Sequence, residues 1–111
     1  MAYDRELADQ IRELLVRDVG VTERRMFGGL AFLVNGNMAV AASGQGGLMV
    51  RVDPADSDDL LDGEWVRPMV MRGRPMRGWL RVDVAADAGQ LEQWVARGVG
   101  YARALPPKGA A

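Results

Sequence analysis

The residue types that usually carry enzyme chemistry are scarce in this chain. Histidine and cysteine are both absent. The usual general base, the strongest nucleophile and the imidazole and thiolate metal ligands are therefore missing, as is any disulfide framework. The side-chain hydroxyls are Tyr3, Thr22, Ser43, Ser57 and Tyr101. Ser43 falls in a predicted hairpin turn and Ser57 in an acidic stretch, neither with a base nearby in sequence. A serine–lysine pair would have to use Lys108, close to the end of the sequence. Carboxylates gather at Asp53, Asp56, Asp58, Asp59, Asp62 and Glu64, a run that reads as a solvated helix face rather than an acid–base pair. As a calcium loop starting at Asp53, the run has Asp58 where the turn requires glycine. Gly44-Gln45-Gly46-Gly47 joins two strand-like segments with no helix behind it, so a hairpin turn is expected and not a phosphate cradle. The chain reads as no enzyme, with no metal and no cofactor.

Arginine offers a different chemistry. Thirteen of the 14 basic residues are arginine, Lys108 being the exception, and arginine favours planar, bidentate contacts with carboxylate or phosphate. Between Trp65 and Val82 lie Arg67, Arg72, Arg74, Arg77 and Arg81, with no acid among them. Arg24, Arg25, Arg72, Arg74 and Arg77 form a candidate patch for an anionic ligand or nucleic acid. The competing reading is a set of solvated strand residues paired with the neighbouring acidic run. A net charge of −1 gives no global pull toward nucleic acid or an anionic membrane.

Elements that could position these residues follow from periodicity. Leu7, Ile11, Leu14 and Leu15 form one helical stripe, with Asp4 as N-cap and Gly20 as a stop. From Arg24 to Val52 the period becomes two. Asn35-Gly36 between Leu30–Val34 and Asn37–Val40 predicts a hairpin with a type I′ turn, and Leu48–Val52 follows as a third strand. Asp53-Pro54 predicts a short acidic helix to about Leu61. Two strands are expected near Val66–Met71 and Gly78–Val84, joined by a turn over Arg72–Arg77. A capping box at Asp87–Gln90 opens a last helix with the stripe Leu91, Trp94, Val95, Gly98, Ala102 and Leu105, which Pro106-Pro107 ends. The expected order is α-β-β-β-α-β-β-α. This is a two-layer α+β domain over residues 1–111, its core about 3–107 and 108–111 a flexible tail, with an antiparallel five-stranded sheet and helices on one face.

Strand alternation then separates two faces. Leu30, Phe32, Val34, Met38, Val40, Leu48, Val50, Val52, Val66, Val70, Leu80, Val82 and Val84 are expected under the helices. The other face would carry Ala31, Leu33, Ala39, Ala41, Met49, Arg51, Arg67, Met69, Met71, Trp79 and Arg81. An open face that is apolar and arginine-rimmed suits a protein partner or a homodimer. The candidate interface is Met49, Arg51, Arg67, Met69, Met71, Trp79 and Arg81. No apolar run reaches the roughly 20 residues that span a bilayer, and the first residues are unlike a signal peptide, so no membrane and a cytoplasmic location are expected.

Several of these segments, taken as a spaced set, resemble a known family. Arg25-Met26-Phe27-Gly28-Gly29, Phe32, Asn35-Gly36-Asn37-Met38, Leu48-Met49-Val50-Arg51, Arg74-Pro75-Met76, Gly78-Trp79 and the final helix with Trp94 are similar to the TfoX (Sxy) N-terminal domain family. The resemblance spans about residues 3 to 107. It implies an α-β3-α-β2-α two-layer domain standing alone, without the C-terminal helical domain of the family's competence regulators. Those regulators act with a cyclic-AMP receptor-type activator on competence promoters. The implied function is a non-enzymatic regulatory or protein-interaction module, a possible transcriptional co-regulator. The alternative is a nucleic-acid or anionic-ligand binder using the arginine segment.

Overall fold

The computed structural model describes residues 4–26, 28–44, 46–61, 65–83 and 88–107. Phe27, Asp62, Glu64, Val84, Asp87 and the expected tail at 108–111 lie outside the described residues. Helix α1 (Arg5–Leu14) begins where the Asp4 carboxylate accepts a hydrogen bond from the Leu7 amide at 3.1 Å. Six strands follow: β1 (Val21–Met26), β2 (Gly29–Val34), β3 (Asn37–Ala42), β4 (Leu48–Arg51), β5 (Val66–Met71) and β6 (Arg74–Val82). Helix α2 (Ala88–Ala104) ends just before Pro106-Pro107. All strands are antiparallel, in the order β1-β2-β3-β4-β6-β5.

The α+β class and the antiparallel sheet agree with the sequence reading, but the element count does not. There are six strands and two helices, not five and three. The additional strand, β1, is an edge strand whose Thr22, Glu23, Arg24 and Arg25 are all exposed. Charged side chains on an edge discourage pairing with other chains, and they also erase the alternation that would reveal the strand. The expected helix over 53–61 is a chain of turns. Most of its amide bonds reach three residues back, as Asp56 to Asp53, Ser57 to Pro54 and Leu61 to Asp58. Asp53 spends its carboxylate on the Ala55 amide, and the buried Ser57 hydroxyl accepts from the Gly78 amide at 3.1 Å. Aspartate and serine that bond locally or across to a strand compete with helix formation.

Two of the hairpin tips, β2–β3 and β5–β6, are two-residue turns with left-handed backbone. Asn35 and Gly36 have φ of 52° and 84°, as the Asn-Gly signal predicts. Arg72 and Gly73 repeat the pattern at 52° and 76°. The loop expected over 72–77 is thus only two residues long, and β6 already begins at Arg74.

One core lies between the helices and the sheet. Ile11, Phe32, Val34, Val40, Leu48, Val50, Leu80, Val82 and Val95 are its most deeply buried large side chains, together with Val52. Each contributes roughly 1.5–3 kcal/mol relative to exposure. Helix α2 sits very close to β3, since a Cβ added at Gly98 would lie 2.6 Å from the Ala39 carbonyl oxygen. At the same place the β2–β3 ladder shifts: Phe32 faces Val40 but Leu33 faces Met38, leaving Ala39 without a partner. This bulge reverses two expected side chains. Ala39 packs in the helix-side core and Met38 on the other face. Val70, also expected under the helices, is 55% exposed. Its hairpin extends past the end of β4, which pairs β6 only over Trp79–Val82. Among the described residues, no helix is long and apolar enough to cross a membrane.

Candidate interface and arginine hairpin

The face away from the helices is not bare. Met26, Ala31, Leu33, Met38, Ala41, Met49, Met69 and Trp79 form a second apolar cluster to which all six strands contribute. Leu33 and Met49 are only 7% and 9% exposed. A flat open sheet would leave such side chains in water. Long, flexible methionine side chains and Trp79 pack with Leu33 and the small Ala31 and Ala41 in one cluster, which accounts for their burial.

The candidate interface residues therefore divide by exposure. Met49 is buried, Arg51, Met69, Trp79 and Arg81 are half-buried, and Arg67 is exposed. Met71 is on β5, its side chain outside the description. Arg51 and Trp79 are cross-strand partners, and the Arg51 guanidinium lies 5.1 Å from the Trp79 ring centre and 5.8 Å from that of Tyr101. This cation–π arrangement connects β4, β6 and α2. Arg81 donates to the Gly46 carbonyl at 3.2 Å. Arg67 is registered directly opposite Arg81, a like-charge pairing that is unfavourable by itself, and Asp83 lines the same hollow.

The candidate anion patch is split by the strand order. Arg24 and Arg25 are exposed on β1 at one edge of the sheet. Arg72, Arg74 and Arg77 belong to the β5–β6 hairpin at the other edge, all exposed. Among the described residues, Arg72, Arg74 and Arg77 form no ion pair with the acidic run. Arg77 Nε donates instead to the Pro54 carbonyl, at 3.2 Å. The ion pairs among the described residues lie elsewhere, with Arg12 bridging Asp9 and Glu23 and Arg103 meeting Asp18. Arg12 holds the Glu23 carboxyl below the ordinary carboxylate range, through hydrogen bonds of 2.6 and 2.7 Å and its charge, against partial burial.

Two features escaped the sequence reading. Trp65 and Trp94 line one groove of about 330 Å³ with Leu60, Val66, Gln90, Gln93 and Arg97. Nothing in the spacing links two tryptophans that are so far apart in the chain. Leu14, the last residue of α1 and expected in its apolar stripe, is exposed together with Val16 and Val19 just after the helix. Among the described residues, no cluster of three or more acids could hold a metal ion.

Against known proteins, no curated protein and no solved structure matches this chain. A family model does match, that of the TfoX N-terminal domain, over residues 13–102. That span runs from the end of α1 through all six strands to nearly the end of α2, and the chain accordingly belongs to the TfoX N-terminal domain family.

Proposed function

We propose that this chain is a non-enzymatic regulatory module of the cytoplasm, working without a cofactor by docking a protein, a second copy included. The docking surface is the part-open margin of the second apolar cluster. One observation carries the reading: Met69 and Trp79 are half-buried on a face with no helix in its cluster, beside Arg51, Arg67 and Arg81. A flexible thioether and a large aromatic ring supply adaptable apolar contact. The neighbouring guanidinium groups suit carboxylates on the partner and keep the free face soluble. Membership in the competence-regulator family supports the regulatory half of the reading.

Sedimentation and partner capture test it. Met69→Glu with Trp79→Glu should abolish self-association or partner capture. Because both side chains also pack on the cluster, the exposed Arg67→Glu serves as a second variant. It should weaken the same binding while leaving helix content unchanged and without lowering the unfolding midpoint, because a carboxylate opposite Arg81 replaces a like-charge pair. A wild type that stays monomeric and captures no protein would defeat the reading.

A further inference from the structure

We propose that the β5–β6 hairpin is a rigid arginine arm that inserts into a groove of duplex nucleic acid. This inference centres on the hairpin tip; it shares Arg67 and Met69 with the protein-docking margin but does not depend on that reading. Beyond Gly78 the two strands pair only with each other, through Met69–Met76, Val70–Pro75 and Met71–Arg74, and close in the turn at Arg72-Gly73. Three residue pairs and a turn make a ribbon of about 10 Å, at roughly 3.3 Å per residue. A two-stranded ribbon is the β-element that a major groove about 12 Å wide admits.

The arm is preorganised at its base. The Val52 amide donates to the Gly78 carbonyl at 2.8 Å, the Gly78 amide to the Ser57 hydroxyl at 3.1 Å, and Arg77 Nε to the Pro54 carbonyl at 3.2 Å. Anchoring of this kind reduces the ordering cost of binding. Arg77 retains its terminal N–H donors for a ligand.

Charge selects the ligand. Arg67, Arg72, Arg74 and Arg77 are exposed, and none joins an ion pair among the described residues. The stretch from Trp65 to Val82 holds five of the 14 basic residues and none of the 15 acidic ones. A chain of net charge −1 thus concentrates a positive field at one edge of its sheet. Guanidinium groups match phosphate oxygens in planar pairs. Residues 66–77 include no aromatic side chain, and stacking on aromatics is what single-stranded ligands use. Continuous phosphate rows on either side of a groove can engage arginines from both strands of the ribbon, which favours a duplex over an acidic protein.

The test is fluorescence anisotropy with a labelled random-sequence DNA duplex, titrated at salt from about 50 to about 200 mM. Four phosphate contacts at about 0.9 each give a log–log salt slope near −3.6, a loss of affinity of about a hundredfold across that range. Arg72→Asn with Arg74→Gln should make the slope shallower by about two. Asn is chosen at 72 because it tolerates the left-handed backbone there. Arg24→Gln with Arg25→Gln, on the opposite edge, should leave the slope as it is. Absence of duplex binding at the lowest salt would overturn the proposal, as would a slope that the hairpin variant does not change. Equal or tighter binding of polyglutamate would assign the arm to an acidic protein instead.

Discussion

Gly98 and Gly100 stand two residues apart in α2, and the structure assigns opposite signs to the same substitution at the two positions. In a helix interior, glycine to alanine ordinarily stabilises by about 1 kcal/mol, because glycine loses more backbone freedom on folding. At Gly100 nothing lies within 4 Å of an added Cβ, so Gly100→Ala should realise that gain. At Gly98 the new atom would sit 2.6 Å from the Ala39 carbonyl oxygen and 2.8 Å from Val40 Cγ1. Backbone cannot swing aside as a side-chain tip can, so α2 would have to lift from β3. Overpacking of this kind costs about 1–3 kcal/mol, which outweighs the helical gain. The net expectation for Gly98→Ala is a loss of up to about 2 kcal/mol, read as a lowered midpoint in urea followed by circular dichroism. The same lift would disturb the bulge at Ala39 that turns Met38 toward the second cluster. Stabilisation by both substitutions would show that the close approach of helix and bulge is wrong.

The remaining predictions concern single interactions. Gly36→Val places a β-branched residue at φ of 84° and should cost on the order of 1–2 kcal/mol, seen as a lower denaturation midpoint. Glu23, whose pKa is lowered by Arg12, should add stability above its unfolded pKa that is lost as pH falls through the lower folded one. Both partners are substantially solvated, so the loss should be no more than about 0.5 kcal/mol and should vanish in Arg12→Ala. Arg51→Met removes the charge held near the Trp79 and Tyr101 rings and should cost about 0.5–1 kcal/mol, with altered tryptophan fluorescence as a second readout.

Features set within a few residues were legible in the sequence. The Asp4 cap and the Asn35-Gly36 turn depend on local chemistry, and each lies where the pattern puts it; of the α2 stripe, Leu91, Trp94, Val95 and Ala102 pack on the core, while Leu105 lies beyond the helix. Errors arose where distant contacts decide. Asp53-Pro54 resembles a helix start equally when it opens a turn, and the bond that holds the segment comes from Gly78, 21 residues after Ser57. The Met38 and Ala39 faces are exchanged by a bulge lodged under a glycine of α2. Alternation correctly grouped Met49, Met69 and Trp79 on one face. It could not show how much of that face is buried, because the burial comes from side chains of all six strands packing together.

Proline placement carries the order of the last two strands further than alternation does. Proline has no amide hydrogen to donate to a ladder, so it belongs on an edge or where one side is unpaired. Pro68 stands in β5, and β5 is the outer strand. Pro75 stands in β6, in the stretch that meets β5 alone, while the proline-free segment Leu80–Val82 lies between β4 and β5. Had β5 been next to β4, Pro68 would have interrupted a ladder on both sides. The two prolines thus require the same thing from opposite strands: a hairpin whose base is woven into the sheet and whose tip extends past it. Arg72 and Arg74 occur at that tip, where neither the acidic turns nor the sheet gives them an ion pair among the described residues. An arginine cluster placed there gains little for folding, and its expected worth is in what it binds.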